Sequence, residues 1–138
     1  MNKILPLFAL AATGLTAMAQ SELPTFTAKD KLEAATYYHI RFKNGGVELV
    51  DKGANAKLST AYGRKNDAQL FAFIGTKDNF VLRSKNGNYL AYLNNRMTCV
   101  KEVAKAEALS ILNSPKFGKG YYVIARKSDS GNSFNPYG

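Results

Sequence analysis

The 138-residue chain has one cysteine, one histidine and no tryptophan, and each shortage excludes something. A lone thiol, Cys99, cannot close an internal disulfide, so the fold has to rest on a packed core. One cysteine and His39 cannot complete a four-ligand structural metal site, and no metal or cofactor is expected. The sequence lacks a G-x-S-x-G elbow, an H-E-x-x-H helix and a phosphate-cradling glycine loop. Its 10 acidic residues are scattered, with no pair placed for glycosidic acid–base work. The chain is therefore expected to be non-catalytic. Acid is scarce relative to base: 19 Lys and Arg leave a net charge of +9, spread along the chain with pairs at Arg64-Lys65 and Arg126-Lys127. Such a surface is simply soluble, or it attracts anionic glycans or a negatively charged cell surface at long range.

Long apolar runs are also scarce, with one exception at the start. Lys3 precedes ILPLFALAATGLTA, and Ala17-Met18-Ala19 supplies a small-x-small cleavage pattern. The run falls short of the roughly 20 residues needed to span a bilayer. Residues 1–19 therefore read as a secretory signal peptide cut after Ala19, with no transmembrane anchor left in the mature chain. Export to the periplasm, cell surface or extracellular space argues against nucleic acid as a partner by compartment alone. The whole chain is 46% hydrophobic and 21% charged, an ordinary globular composition of single-domain length.

What is present is repetition. RFKNGGVELV begins at Arg41, and RSKNGNYLAY begins at Arg83, 42 residues later. Tyr38, Ile40, Arg41, Lys43, Asn44 and Gly45 align with Phe80, Leu82, Arg83, Lys85, Asn86 and Gly87, and a third, weaker copy places Tyr122, Ile124 and Lys127 in register. A fixed period of this size marks a repeat architecture.

Within each copy the period is two. Tyr38, Ile40 and Phe42 alternate with His39, Arg41 and Lys43, which predicts a half-buried strand with His39 facing solvent. Asn44-Gly45 predicts a tight hairpin, VELV its return strand, and AKLST and QLFAFI two further strands. NFVLRS, YLAYL, RMTCV and ALSIL repeat the pattern, with turns at Asn86-Gly87 and Asn94-Asn95, and KEVAKAE as a loop or single turn. Residues 20–36 read as an extended lead-in, a linker or cap, with one or two helical turns in AKDKLEAAT. The fold class is all-β: lobe 1 at 37–75, lobe 2 at 79–115 and a partial lobe 3 at 120–138. A sandwich and a propeller fragment are the other all-β readings.

DAQLFAF, at Asp67 to Phe73, resembles the Gln-x-Trp element that closes each lobe of ricin-type β-trefoil lectins, with Gln69 and Phe71 in the key places. LPTF, YYHIRFKNGG, LVDKGANAKLST and DAQLF together are similar to trefoil domains that follow the signal peptide of secreted bacterial glycan-degrading enzymes. The resemblance implies a β-trefoil over 37–138, and a carbohydrate-binding accessory role beside a neighbouring catalytic domain. It departs from the family in having Phe71 for Trp, and EALSIL in lobe 2 without the Gln and aromatic. The closing strand of lobe 3 falls beyond Gly138, so the chain reads as a fragment short by about 20 residues.

By that resemblance Asp51 is the acid that accepts sugar hydroxyls, Tyr62 the stacking platform and Gln69 the polar complement, with Tyr89 and Asn94 as lobe-2 counterparts. Tyr92 shares a face with Leu90 and reads as core, whereas Tyr89 reads as exposed. Asn132, Asn135 and Tyr137 are the polar and aromatic residues of lobe 3. The residues themselves leave alternatives open. Asp51 is equally a cap for the DKGAN turn and Gln69 a barrel brace. The whole domain is alternatively a structural trefoil packed on its neighbour, or a protease-inhibitor-like trefoil.

Overall fold

The computed structural model describes residues 4–7, 23–42, 46–62, 66–113 and 122–133. The described residues form an all-β structure. Its strands are β1 (Ile4–Leu7), β2 (Phe26–Thr27), β3 (Tyr37–Ile40), β4 (Glu48–Val50), β5 (Ser59–Ala61) and β6 (Phe71–Thr76). They continue as β7 (Asn79–Ser84), β8 (Tyr89–Leu93), β9 (Arg96–Val100), β10 (Leu109–Asn113), β11 (Tyr122–Arg126) and β12 (Asp129–Ser133). Single 3-10 turns occupy Leu32–Ala34, Asp67–Gln69 and Val103–Lys105, so the two stretches with helical propensity each yield one turn. Among the described residues no helix is long and apolar enough to cross a membrane.

One sheet runs β1-β3-β6-β7-β10-β11-β12, with β2 on β6 and the β8–β9 hairpin hanging from β7, while β4–β5 form a separate ribbon. The segment after β4 ties that ribbon to β9: Asn55 and Leu58 N–H donate to the Cys99 and Met97 carbonyls, and Cys99 N–H donates to Ala56. The Asn94-Asn95 turn is confirmed, with φ of 53° and 61° at its two residues, as a two-residue hairpin with both central residues left-handed requires. The Asn44-Gly45 turn lies outside the described residues, but Phe42 N–H donates to the Val47 carbonyl across it.

The 42-residue period explains the core. Tyr38 and Phe80, and Ile40, Leu82 and Ile124, are in one buried cluster, with Tyr122 packed against it. Each copy therefore sends its aromatic and its aliphatic residue to the same place. Phe26, Phe71 and Phe73 join them. Strand β6 is buried on both faces from Phe71 to Ile74, because its other face is covered too. There Ala72 and Ile74 pack with Ala35, Tyr37 and Leu70, and Leu32 of the first 3-10 turn lies against them.

The lead-in and the start of the chain both pair with the sheet. Residues 23–36 are no free linker: Phe26 and Thr27 pair in parallel with Phe73 and Ile74. The apolar faces of Phe26 and Leu32 account for this, since leaving them in water forfeits about 25 cal/mol for each Å². Within the predicted signal peptide only 4–7 are described, and they pair in parallel with Tyr37–Ile40. The cleavage residues Ala17 to Ala19 lie outside the described residues.

Gly75 is where the sequence had to be glycine. Its φ is +130°, and a Cβ there would collide with the Asn79 carbonyl oxygen and sit 3.0 Å from Phe80 Cα. Both obstacles are backbone at the start of β7 and cannot step aside cheaply. Gly75→Ala is expected to cost about 2 kcal/mol or more, seen as a lower urea midpoint at unchanged m-value. A neutral result would mean the turn reshapes freely.

Candidate functional site

Asp51 follows β4 and is 4% exposed, as buried as the hydrophobic core around it. Its carboxylate accepts from Gly53 N–H at 2.8 Å, from the Ser84 hydroxyl at 2.5 Å and from Asn88 Nδ2 at 2.9 Å. Its own N–H donates to the Ala68 carbonyl. Burial alone would raise its pKa, but hydrogen bonds from Ser84, Gly53 and Asn88 prevail and hold the carboxyl below the usual carboxylate range. Beside it the Cys99 thiol is pushed up to about 12, by burial first and then by the Asp51 charge, which leaves it unreactive. The turn-capping role is therefore present and extended: Asp51 joins the segment after β4 to the end of β7. Both carboxylate oxygens are occupied by protein donors, so as placed Asp51 offers none to a sugar.

Gln69 is 1% exposed, and its Nε2 donates to the Tyr62 carbonyl at 3.2 Å. This is the bracing arrangement, set up by Asn66, whose side chain caps the 3-10 turn through the Ala68 N–H. Tyr62 itself is 75% exposed. Gln69 and Tyr62 are thus brought together through a backbone carbonyl, with only the tyrosine open to a ligand. Asn94 is exposed at the tip of the β8–β9 hairpin.

Tyr89 corrects the sequence reading: it is 8% exposed and packs with Ala91 and Val100. Its position is equivalent to Glu48. Arg41 bridges Glu48 in the first hairpin and Arg83 pairs with Tyr89 in the second, with one residue fewer in the turn. The alternation was read correctly, but the outer face is covered rather than solvated. His39 corrects it for the same reason, being 5% exposed. Its Nδ1 lies 2.8 Å from Glu48 Oε1 yet off the line of a hydrogen bond, and Nε2 meets no acceptor among the described residues. Arg41 holds the other Glu48 oxygen at 3.1 Å. Burial would raise the Glu48 pKa, but His39 and Arg41 outweigh it and leave the carboxyl lowered.

Tyr92 also departs from expectation, since it is half-buried rather than core. The Arg126 guanidinium lies over its ring, 3.7 Å from the centroid, while Arg126 Nε donates to Glu107 at 3.1 Å. Nothing local in the sequence signals this group, because its members come from three separate segments. Of the third-lobe residues, Asn135 and Tyr137 lie outside the described residues. Among the described residues no group of His, Cys, Asp and Glu is placed to hold a metal ion.

No family model matches the sequence, and no curated protein matches it either. Among solved structures, a GlcNAcα1-4Gal-releasing endo-β-galactosidase from Clostridium perfringens is similar, with a TM-score of 0.58 and 18% identity. The alignment covers 70% of this chain and 25% of that one, so the likeness in fold reaches about a quarter of the enzyme's length. This chain therefore shares a β-rich fold with part of a bacterial glycan-degrading enzyme.

Proposed function

We propose that the chain is a β-trefoil and a non-catalytic, carbohydrate-binding accessory domain of a secreted glycan-degrading protein. The observation that carries this reading is the likeness to a quarter of a glycan-degrading enzyme, the span of a module rather than of a whole enzyme. The trefoil reading is supported by the three-fold convergence of Tyr38, Phe80 and Tyr122 on one core. It is supported further by the order β3-β6-β7-β10-β11, from which the β4–β5 and β8–β9 hairpins stand apart. A neighbouring catalytic domain gains from such a module by being held close to a polymeric substrate.

The ligand surface consists of groups that remain open: the Tyr62 ring, and Asn94 at its hairpin tip. An aromatic face suits the C–H side of a sugar and an amide suits its hydroxyls. Retention on glycans that contain galactose and N-acetylglucosamine tests the reading. Tyr62→Ala is expected to weaken retention about tenfold, some 1.4 kcal/mol, with no change in Tm because the ring is solvent-exposed. Failure of the unaltered protein to hold any glycan would favour a purely structural trefoil packed on its neighbour.

A further inference from the structure

We propose that Tyr92, Glu107 and Arg126 form a binding site for a saccharide carrying an oxyanion, a carboxylate or a sulfate group. This rests on the carbohydrate-binding reading and names the ligand chemistry of one site within it. Tyr92 stands two residues beyond the core residue Leu90 on β8, and Arg126 two beyond Ile124 on β11. Both side chains therefore emerge where the core-facing rows run out, at the rim. Glu107 is fixed between those strands, because its N–H donates to the Leu90 carbonyl, while Lys127 N–H donates to the neighbouring Ala108 carbonyl.

The geometry holds the guanidinium still without using it up. Tyr92 covers one face at 3.7 Å and Glu107 takes only Nε. The two terminal nitrogens meet no acceptor among the described residues, and they are not among the buried polar atoms lacking a partner. The Arg126 side chain is 24% exposed and that of Glu107 19%, so the pair is reachable from solvent. A stacked, immobilised guanidinium presents its remaining N–H fork as a planar two-pronged donor, the geometry that matches an oxyanion. The second oxygen of Glu107 meets no donor among the described residues, which leaves an acceptor for a hydroxyl beside the fork. A donor fork next to an acceptor fits a sugar with an acidic substituent and a neighbouring hydroxyl better than a bare ion. Glu107 offsets much of the Arg126 charge, which disfavours simple ions and makes directed bonding decisive.

The test is titration of the purified full chain at physiological salt with glucuronate, glucose 6-sulfate and glucose. It is read by calorimetry and by the Arg126 Nε–Hε NMR signal, assigned through its loss in Arg126→Lys. The expected result is binding of one or both acidic sugars at least tenfold tighter than glucose, with movement of that signal. The two acidic probes separate the carboxylate from the sulfate as source. Arg126→Lys, which keeps the charge but loses the fork and the stacking, is expected to lose the preference for the acidic sugars over glucose. Lys127→Ala, at the exposed neighbouring cation, is expected to keep it. An Arg126 signal unmoved by saturating acidic sugar in the unaltered protein overturns the proposal without relying on any variant. Equal losses in Arg126→Lys and Lys127→Ala would overturn it in favour of diffuse charge attraction. Retention of neutral glycans without acidic preference would sink this site while leaving the carbohydrate-binding role standing; retention of none would remove both.

Discussion

Asp51→Ala is expected to destabilise the protein by about 4 kcal/mol, a large share of the roughly 5–15 kcal/mol that holds a domain of this kind together. The substitution removes little volume but strands two buried donors, the Ser84 hydroxyl and the Asn88 amide, and the half-buried Gly53 N–H. Each unsatisfied buried group costs about 1–3 kcal/mol, and the total is less than additive because the site relaxes. Urea unfolding should show a markedly lower midpoint with an unchanged m-value. The same node sets part of the acid limb. The Asp51 carboxyl is held below its ordinary range in the folded state, so its stabilisation is complete above the unfolded carboxyl pKa of about 4. That stabilisation drains away as pH falls towards the lower folded value. Glu48 has the same sign, through His39 and Arg41. Asp51→Asn should therefore be destabilised near neutrality and show a flatter acid limb. An Asp51→Ala protein as stable as its parent, yet unable to hold glycan, would restore Asp51 as a sugar ligand and require the node to open.

Phe73→Ala is expected to cost about 3–5 kcal/mol. Phe73 is fully buried, its ring edge-on to Phe26 at 5.7 Å and to Tyr38 at 5.8 Å, and tilted against Phe80 at 5.2 Å. Those three rings come from the lead-in, the first repeat and the second, so one truncation loosens all three. The cost combines lost transfer free energy with a cavity whose walls are held by strand ladders and cannot collapse. Edge-to-face pairs add about 0.5–1.5 kcal/mol each beyond burial. Phe73→Leu should recover more than half of the loss. A Phe73→Ala loss under 1 kcal/mol would mean that the lead-in strand β2 does not pack on β6 in solution.

The repeat was the most legible feature, because closing a core from three copies demands the same residue classes at the same spacing. The deviations from that repeat carried the site information, and they are readable only with hindsight. Ser84 stands where the first copy has Phe42, both buried, and the substitution of a hydroxyl for a ring marks the place where Asp51 arrives. Tyr89 and His39 are buried against expectation for one reason. Alternation assigns two faces to a strand but does not say which is wet, and here the outer face is covered as well. The residues selected for sugar contact divide accordingly: Tyr62 and Asn94 are open, while Asp51, Gln69 and Tyr89 are turned to internal bonds and packing.

By itself the sequence determined the all-β character, the strand periodicity, the hairpin turn at Asn94-Asn95 and a core that needs no disulfide. These depend on local sterics and on spacing along the chain, which a linear pattern records. Only the tertiary structure decided that Asp51 meets Ser84 and Asn88, that Glu48 is buried between His39 and Arg41, and that Arg126 lies on Tyr92 beside Glu107. Those contacts join residues from distant segments. Their partners are chosen by how the strands close around the core, and no local spacing encodes that.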